Sequence, residues 1–489
     1  MTIASPGNRD LEAATDADAG LVDTRHLRIL PIIIGSALFM QTLDATIIAN
    51  ALPAMAKSLG ETPLVLNLAI TGYLLTAAVF LPISGWAADR FGSRTVFRAA
   101  IVLFAVSSLF CGASQTLWEL VAARMVQGVA GAMMMPVGRL VLLRTVPKAQ
   151  LVRALSLLTM PALLGPVLGP PLGGFIVTFG SWRWIFYINV PLGILGVVLT
   201  SLYMPNIKEE ISQRLDLRGF VLTGAGLAAV VYGFENIGRD TLPPAAVTGL
   251  FVTGALCLMA YVLHARRTPD AILDLSVMRI PTFRASVLGG IFSRLSIGAG
   301  PFLNALLLQI GFGLNAFQAG LISFAAAAGA LTMKTTARPI LARYGFKRVL
   351  VFNTVISAIA VAATALFRPS TPYAVMMLVL LLGGFFRSLQ FTALNALAYA
   401  DVPQPQMSRA SSLAAMMQQL SQSIGVGLAA ILLHATLRYH HATALTADNI
   451  TPAFAVIAAL SMLSLLFFAG LPANAGAEVS GRQEPEPAS

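Results

Sequence analysis

The sequence predicts an all-α integral membrane protein with fourteen membrane-spanning helices. Few charges, a high mean hydropathy and repeated apolar runs of membrane length lead to this prediction. Of the 489 residues, 57% are hydrophobic and only 11% are charged, and the mean hydropathy is +0.78. A soluble protein has about 25% charged residues. So few charges could not cover a surface in water, and we therefore expect most of the chain to lie in lipid.

The predicted spans follow from the length of helix that crosses a bilayer, about 20 apolar residues. The runs that meet this length are 29–52, 64–85, 95–113, 117–138, 155–178, 184–204, 217–238, 245–264, 286–310, 316–336, 348–367, 373–397, 412–434 and 452–471. An even number of spans puts both termini on the same side of the membrane.

Basic residues indicate which side that is. The connections on the side of the termini carry most of the Arg and Lys residues, among them Arg90, Arg94, Arg98, Arg338, Arg343 and Lys347. The opposite connections carry few, such as Lys57 and Arg183. Because positive charge marks cytoplasmic loops, we expect a multi-pass protein of the inner or plasma membrane with both termini in the cytoplasm.

The same distribution argues against nucleic acid as a partner, although the formal net charge is +11. The basic residues are spread over short loops instead of clustering on one face. His434, His440 and His441 lie near an outer loop without the accompanying Cys or Asp residues of a metal site. The chain carries no nucleotide-binding glycine loop and no hydrolase motif. We therefore expect no metal, no cofactor and no enzymatic activity.

An internal repeat predicts two related halves. The connection after the second span reads Arg90-Phe91-Gly92-Ser93-Arg94, and the connection after the tenth reads Arg343-Tyr344-Gly345-Phe346-Lys347. If spans seven and eight are an insertion, both copies follow the second helix of a six-helix half. Parallel halves of this kind enclose a substrate cavity near the middle of the membrane. The predicted organisation is a cytoplasmic flexible tail (1–28), a first half (29–204), two additional helices with flanking cytoplasmic linkers (205–283), a second half (284–471) and a second cytoplasmic flexible tail (472–489).

Several segments carry a family resemblance. They are Leu43–Pro53 in the first span, Gly85–Arg94 after the second, Arg124–Gly131 in the fourth, Gly165–Gly174 in the fifth and Trp182–Pro191 at the start of the sixth. Through these segments the chain resembles the major facilitator superfamily, and within it the EmrB/QacA-like branch of fourteen-helix drug:proton antiporters. The resemblance covers essentially residues 30–470.

This resemblance implies a secondary transporter with the major facilitator fold. It would exchange protons for a small amphipathic or drug-like molecule and expel that molecule across the cytoplasmic membrane. The implied partners are the substrate, protons and membrane lipid, while periplasmic or outer-membrane efflux partners are left open. The alternatives are a major facilitator importer or uniporter, and an exporter of an organic anion or another metabolite. A passive channel is disfavoured by the repeat.

Asp44 and Arg124 are the candidates for proton coupling. Asp44 lies about 22 Å along the first helix, which enters the membrane from the cytoplasm, and Arg124 lies about 10 Å along the fourth, which enters from outside. The two would therefore lie at comparable depth if these helices are neighbours. A carboxylate in the middle of a membrane should face the interior of the bundle. It could exchange a proton during transport while Arg124 tunes its proton affinity. The alternative is a permanent structural pair.

The segment after the second span is the candidate cytoplasmic gate. It lies at the end of a helix, where charges and the helix dipole could latch helix ends together in one conformation. Where the family usually has a Leu and a basic residue, this chain has Ala87 and Ser93, which is expected to soften the gate contacts. The predicted gate residues are Gly85, Asp89, Arg90, Gly92 and Arg94.

The fifth span carries the antiporter motif of the resemblance. Glycines spaced four residues apart present a smooth face for close helix packing, and prolines add a bend. Packing alone would explain these residues, and only the resemblance favours antiport. The motif residues are Gly165, Pro166, Gly169, Pro170, Gly173 and Gly174.

Five further polar residues are candidates for the wall of a substrate cavity. They are Gln41, Gln127, Arg294, Arg387 and Gln390. Arg294 and Arg387 lie deep in the second half, whose spans contain no acid to match them. If they face the cavity, they favour an anionic or polar substrate over a simple cation. If they pair with backbone carbonyls or with Gln390, they are structural.

Overall fold

The structure, a computed structural model, describes residues 24–145, 148–208, 215–237, 242–268, 271–403, 406–442 and 444–477. Within these ranges the regular secondary structure is helical throughout and contains no strand. Most of the two predicted tails lies outside the described residues. The first helix begins at Thr24, inside the segment predicted as a tail, because the helix continues beyond its apolar part.

Six helices form the first half. They are α1 (Thr24–Leu59), α2 (Pro63–Phe80, followed by Ile83–Phe91), α3 (Ser93–Ala113), α4 (Leu117–Thr145), α5 (Lys148–Phe179) and α6 (Trp184–Tyr187 with Asn189–Tyr203). We call the membrane side at which α1 begins the near side and the side at which it ends the far side.

The remaining helices are two additional ones and a second set of six. The additional helices are α7 (Leu217–Glu235) and α8 (Pro244–Arg267). The second half consists of α9 (Pro281–Leu306 with the π-helical turn Leu307–Gly311), α10 and α11 (together Ala316–Thr364), α12 (Tyr373–Ala400), α13 (Met407–Tyr439) and α14 (Ala447–Met462 with Leu465–Phe468).

This arrangement confirms the predicted helical membrane fold. Within the described residues, 12 helices are long and apolar enough to cross a membrane. One of them, Ala316–Thr364, corresponds to two predicted spans. Gly345, with a φ of 73°, lies at the kink between the two helices. The fifth predicted span lies on α5, whose apolar part Leu164–Phe179 is shorter than the others. Several helices extend past the predicted spans, since hydropathy marks only the part of a helix that lies in lipid.

The two copies of the sequence repeat share one backbone feature. Gly92 and Gly345 both have positive φ, 90° and 73°, and each stands between the second and third helices of a half. In the first copy a side chain has no room, because a Cβ on Gly92 would lie 2.4 Å from Asn206 Oδ1. Glycine permits both this conformation and this close approach.

One buried apolar cluster contains residues of both halves, and two seams join the halves. In the first half α1 packs on α5, while α2 and α3 pack on α4. In the second half α9 packs on α13, and α12 packs on α10 and α11. The seams are α5 against α10 and α2 against α13. Helices α7 and α8 form a hairpin beside the second seam, where α7 contacts both α2 and α13.

Hydrogen bonds tie the halves together on the far side. Gln309 Nε2 donates to Asn50 O at 3.0 Å, and Phe317 N donates to Thr178 Oγ1 at 3.0 Å. Phe317 also makes edge contacts with Phe175 and Phe179, with ring centroids 6.2 and 5.9 Å apart. These contacts join α1 to α9 and α5 to α10.

Adjacent glycines on α12 offer a test of how closely the helices pack. A Cβ on Gly384 would lie 1.8 Å from Ala326 O on α10, whereas one on Gly383 would lie 3.5 Å from Ala360 Cβ, an ordinary contact. We expect Gly384→Ala to lower the thermal unfolding midpoint of the detergent-solubilised protein, because overpacking of this kind costs about 1–3 kcal/mol. Gly383→Ala is the matched control and should leave the midpoint unchanged. Equal midpoints for the two variants would contradict the close packing.

Candidate functional site

The centre of the first half holds a buried ion pair. Asp44 on α1 and Arg124 on α4 are in direct contact through Oδ2 and Nη1. Their side chains are 0% and 1% exposed, so neither charge reaches solvent in this conformation. The helices α1 and α4 are therefore neighbours at this depth, and the two residues predicted for proton coupling meet.

The carboxylate of Asp44 has three side-chain donors among the described residues. Besides Arg124, Gln127 Nε2 donates to Oδ1 at 3.1 Å, and Asn189 Nδ2 donates to the same oxygen at 2.9 Å. Both amide side chains are fully buried. Together with Arg124, these two amides give each carboxylate oxygen at least one donor.

Ser108 closes the network from a fourth helix. Its Oγ accepts from Gln127 Nε2 at 2.7 Å and from Asn189 Nδ2 at 3.2 Å, and it donates to Phe104 O at 2.7 Å. Helices α1, α3, α4 and α6 thus contribute one polar side chain each, and α4 contributes a second. This set of five residues is the acid network: Asp44, Ser108, Arg124, Gln127 and Asn189.

Arg124 has partners that do not depend on Asp44. Its Nη1 donates to Gln127 Oε1 at 2.6 Å, and its Nε donates to Ala69 O at 3.3 Å. Its guanidinium carbon also lies 4.4 Å from the ring centroid of Tyr73, a distance typical of a cation–π contact. The cation therefore keeps a carbonyl, an amide and an aromatic face if the carboxylate moves away.

Gln41 lies at the edge of the acid network and is half-buried. Its Nε2 contacts Tyr73 Oη at 3.4 Å and donates to Gly131 O at 3.1 Å, while its Oε1 has no hydrogen-bond partner. Ala45, one residue beyond Asp44, is exposed. Gln41 is thus the predicted cavity residue of the first half that borders open space, whereas Gln127 belongs to the buried acid network.

The glycines of α5 lie where α1 approaches. A Cβ on Gly165 or Gly169 would lie 2.2 Å from Thr42 Oγ1 or Thr46 Oγ1, and one on Gly173 would lie 2.7 Å from Ile47. The end of the motif contacts the second half instead, since a Cβ on Gly174 would lie 2.2 Å from Ala316 O. Helix α5 therefore packs closely against the helix that carries Asp44 and also against α10.

The prolines of the motif add to the same two contacts. Asn50 Nδ2 on α1 donates to Pro170 O at 3.0 Å. The same carbonyl lies 2.3 Å from the position of a Cβ on Gly320 of α10. Pro170 thus stands between α1 and α10. Pro166 lies within the α5 helix one turn earlier.

The predicted gate residues do not form one cluster. Asp89 pairs with Arg144 at the end of α4, with Oδ1 and Nη1 2.9 Å apart, while Arg90 is exposed. The backbone N of Arg94 donates to Asn206 Oδ1 at 3.2 Å, which is the contact that Gly92 admits. A Cβ on Gly85 would meet nothing within 4 Å. The ion pair of this segment thus joins α2 to α4 within the first half.

In the second half two of the predicted cavity residues lie together and the third lies apart from them. Gln390 accepts from Asn353 Nδ2 at 2.9 Å and donates to Thr354 Oγ1 at 2.9 Å. Arg387 lines two small cavities of about 40 and 20 Å³, the smaller of which Gln390 also lines. Arg294 is 2% exposed and lines neither cavity.

Ser108, Tyr73 and Asn189 were not among the predicted site residues. Asn189 lies inside Trp182–Pro191, a segment that the sequence analysis identified by resemblance. It is an amide isolated in an apolar span, and such a polar residue indicates a functional position. Ser108 gave none, because a serine in a membrane helix commonly bonds its own backbone.

The ion pair can be tested by its energetic coupling. Removing one partner of a buried pair typically costs about 3–5 kcal/mol, because the other charge is left uncompensated. We therefore expect Arg124→Leu to lower the thermal midpoint more than the double variant Asp44→Leu/Arg124→Leu does. The measurement is thermal unfolding of both proteins in one detergent. Losses that simply add would show that the two side chains are not coupled.

Comparison with known proteins identifies the family. The model of the Major Facilitator Superfamily matches residues 34–311 and residues 286–489. The chain is 43% identical over 405 residues to "Putative multidrug resistance protein MdtD" of Salmonella heidelberg, an alignment that covers 82% of this chain and 85% of that protein.

Solved structures share the fold at low sequence identity. A POT family transporter in complex with a thioalcohol conjugated peptide has a TM-score of 0.67 at 15% identity, covering 90% of this chain and 95% of its own. A D-xylose-proton symporter has a TM-score of 0.64 at 16% identity, covering 92% of this chain and 98% of its own. These two likenesses concern the fold alone. They confirm the predicted fold, and the family model and the relative from Salmonella show that the chain belongs to the major facilitator superfamily.

Proposed function

We propose that the protein is a proton-coupled antiporter that expels a small amphipathic or drug-like molecule across the cytoplasmic membrane. The observation that carries this proposal is the fully buried Asp44–Arg124 pair in the middle of the first half. An ionisable pair at membrane depth is expensive and marks ion or proton pathways. The relative named for multidrug resistance supports export.

Protonation of Asp44 would change its contacts in a defined way. The charged carboxylate accepts from Arg124, Gln127 and Asn189. Protonation removes the ionic attraction between the carboxylate and the guanidinium and turns one carboxylate oxygen from an acceptor into a donor. Proton uptake therefore loosens α1 from α4 and α6. The other partners of Arg124 hold the cation in place while the acid is neutral.

The packing of α1 offers a physical route from that event to the other half. One face of α1 carries Asp44, and the residues beside it, Thr42 and Thr46, pack on the glycines of α5. Because α5 packs on α10 through Pro170 and Gly174, a shift of α1 displaces the seam between the halves. Rocking of two halves about such seams is how transporters of this architecture alternate access.

Coupling requires that the proton and the substrate favour different conformations. In our proposal both termini and the near side are cytoplasmic, as the distribution of basic residues indicates. Protons then reach Asp44 in the conformation open to the far side, and substrate binds in the conformation open to the near side. An importer or uniporter on the same fold is the competing function, and the direction of proton movement distinguishes the two.

The role of Asp44 can be tested in proteoliposomes that hold a pH gradient. A panel of drugs and organic anions is added, and dissipation of the gradient is followed with a pH-sensitive dye. We expect substrate-triggered dissipation with the wild-type protein and none with Asp44→Asn, which cannot carry a proton. Asp448→Asn, an exposed carboxylate at the start of α14, is the matched control and should behave as wild type. Dissipation that persists in Asp44→Asn would place the proton site elsewhere.

The Asp89–Arg144 pair can be tested by exchanging its charges. We expect Asp89→Arg to slow transport about fivefold or more, since a coupling energy of 1 kcal/mol or above is of that size, and because two cations would then face each other at the ends of α2 and α4. The exchanged variant Asp89→Arg/Arg144→Asp should recover most of the rate. Initial rates of substrate uptake into inverted vesicles give the comparison. If the exchanged variant does not recover the transport rate, the ion pair does not explain the effect of Asp89→Arg.

A further inference from the structure

We propose that the second half holds a docking site for the anionic head group of the substrate, centred on Arg387, and that the transported molecule is a carboxylate-bearing organic anion. This inference rests on the transport function proposed above and specifies its substrate class. It is carried by an unpaired cation, two small cavities beside it, and the absence of any acid within the spans of this half.

Arg387 is a half-buried cation without a protein partner. It lies in the middle of α12, and within the described part of the chain its guanidinium makes no hydrogen bond and no ion pair. The backbone of α9 passes close by, since a Cβ on Gly300 would lie 3.2 Å from Arg387 Nη1. A charge inside a membrane protein is normally paired with another side chain, a carbonyl or a ligand.

Two cavities lie against this guanidinium. The larger, of about 40 Å³, lies among α9, α10, α11, α12 and α14, and the smaller measures about 20 Å³. Both are lined by Arg387 and by Ser296 of α9. A cavity of this size holds a few water molecules or a small polar group. It therefore admits the head group of a substrate but not a whole drug-like molecule.

The wall of the smaller cavity supplies further donors. Ser357 Oγ is buried there and has no hydrogen-bond partner among the residues that the structure describes. Gln390 is fixed by Asn353 and Thr354 and so presents a defined amide beside the cavity. An unpaired hydroxyl and an unpaired guanidinium at one cavity are complementary to an anion, because each would donate to it. A carboxylate fits best, since the planar guanidinium binds it through two parallel hydrogen bonds.

The charges of the second half favour the same sign of ligand. Between residues 281 and 477 the acids are Asp401 and Asp448, and both stand at helix ends. Lys334 of α10 adds a second positive charge near the smaller cavity, with its Nζ 5.8 Å from the ring of Phe391, a residue that lines that cavity. A cationic substrate would meet uncompensated like charge here, whereas an anion supplies the missing counter-charge.

Arg294 provides a matched control within the same half. Its Nη2 lies 3.4 Å from Asn395 Oδ1, while its Nε and Nη1 have no partner. It lies against Gly290, where a Cβ would be 2.5 Å from Nη1, and it borders neither cavity. The two arginines thus share their charge and their place within the spans of the second half, and of the two only Arg387 has a cavity beside it.

The test uses two probes of nearly the same shape and different charge, benzoate and benzamide. Thermal stabilisation of the purified full-length protein is measured against the concentration of each probe in one detergent at constant ionic strength. We expect benzoate to stabilise the wild-type protein with an apparent affinity at least tenfold above that of benzamide. Arg387→Gln should abolish this preference, Arg387→Lys should retain part of it, and Arg294→Gln should keep it within twofold of wild type.

Each outcome decides the proposal. Equal effects of the two probes on the wild-type protein, including no effect of either, would overturn it, as would an unchanged preference in Arg387→Gln. Asp44→Asn separates this inference from the proposed function. If that variant still prefers benzoate while wild-type proteoliposomes show no coupled proton movement, the anion site stands and the antiport proposal fails. If coupled transport is seen for cations only and benzoate is not preferred, the anion site fails alone.

Discussion

The rest of this structure depends on how a charged carboxylate is kept inside a membrane protein. Lipid offers no water to solvate Asp44, so every lone pair that it exposes must find a donor in the protein. Arg124, Gln127 and Asn189 supply these donors from two helices, and Ser108 orients the two amides from a third. Four helices are thereby held in one register around a single side chain. A change in the charge of that side chain consequently acts on all four together.

Helix α5 makes this local event relevant to the whole molecule. Its glycines remove side-chain bulk, so α1 approaches within backbone contact on one face, while its far end meets α10 of the second half. Between helices in lipid, dispersion contacts and hydrogen bonds take over the role that water exclusion has in soluble proteins. Close approach at the glycines therefore holds α1 against α5, and in our proposal it is also the path by which a displacement of α1 reaches the seam.

The two halves treat buried charge in opposite ways. In the first half the cation Arg124 is matched by an anion and surrounded by further partners. In the second half Arg387 has space beside it and no partner within the described residues. One half therefore has a compensated buried charge and the other an uncompensated one. In our proposal the first takes up and releases a proton while the other partners of Arg124 hold the cation, and the second is complementary to a ligand that brings its own negative charge.

The sequence by itself determined the spans, the helical class and the family, because the transfer of apolar residues into lipid is a local property that a short window records. It also marked Asp44 and Arg124, since charges within apolar runs are rare. Only the tertiary structure decided that Asn189, 145 residues away along the chain, bonds Asp44, that Asp89 pairs with Arg144, and that Arg387 borders a cavity where Arg294 does not. These facts depend on which helices are neighbours and how each is rotated. Close packing between distant segments sets both, and no local pattern of hydropathy encodes them.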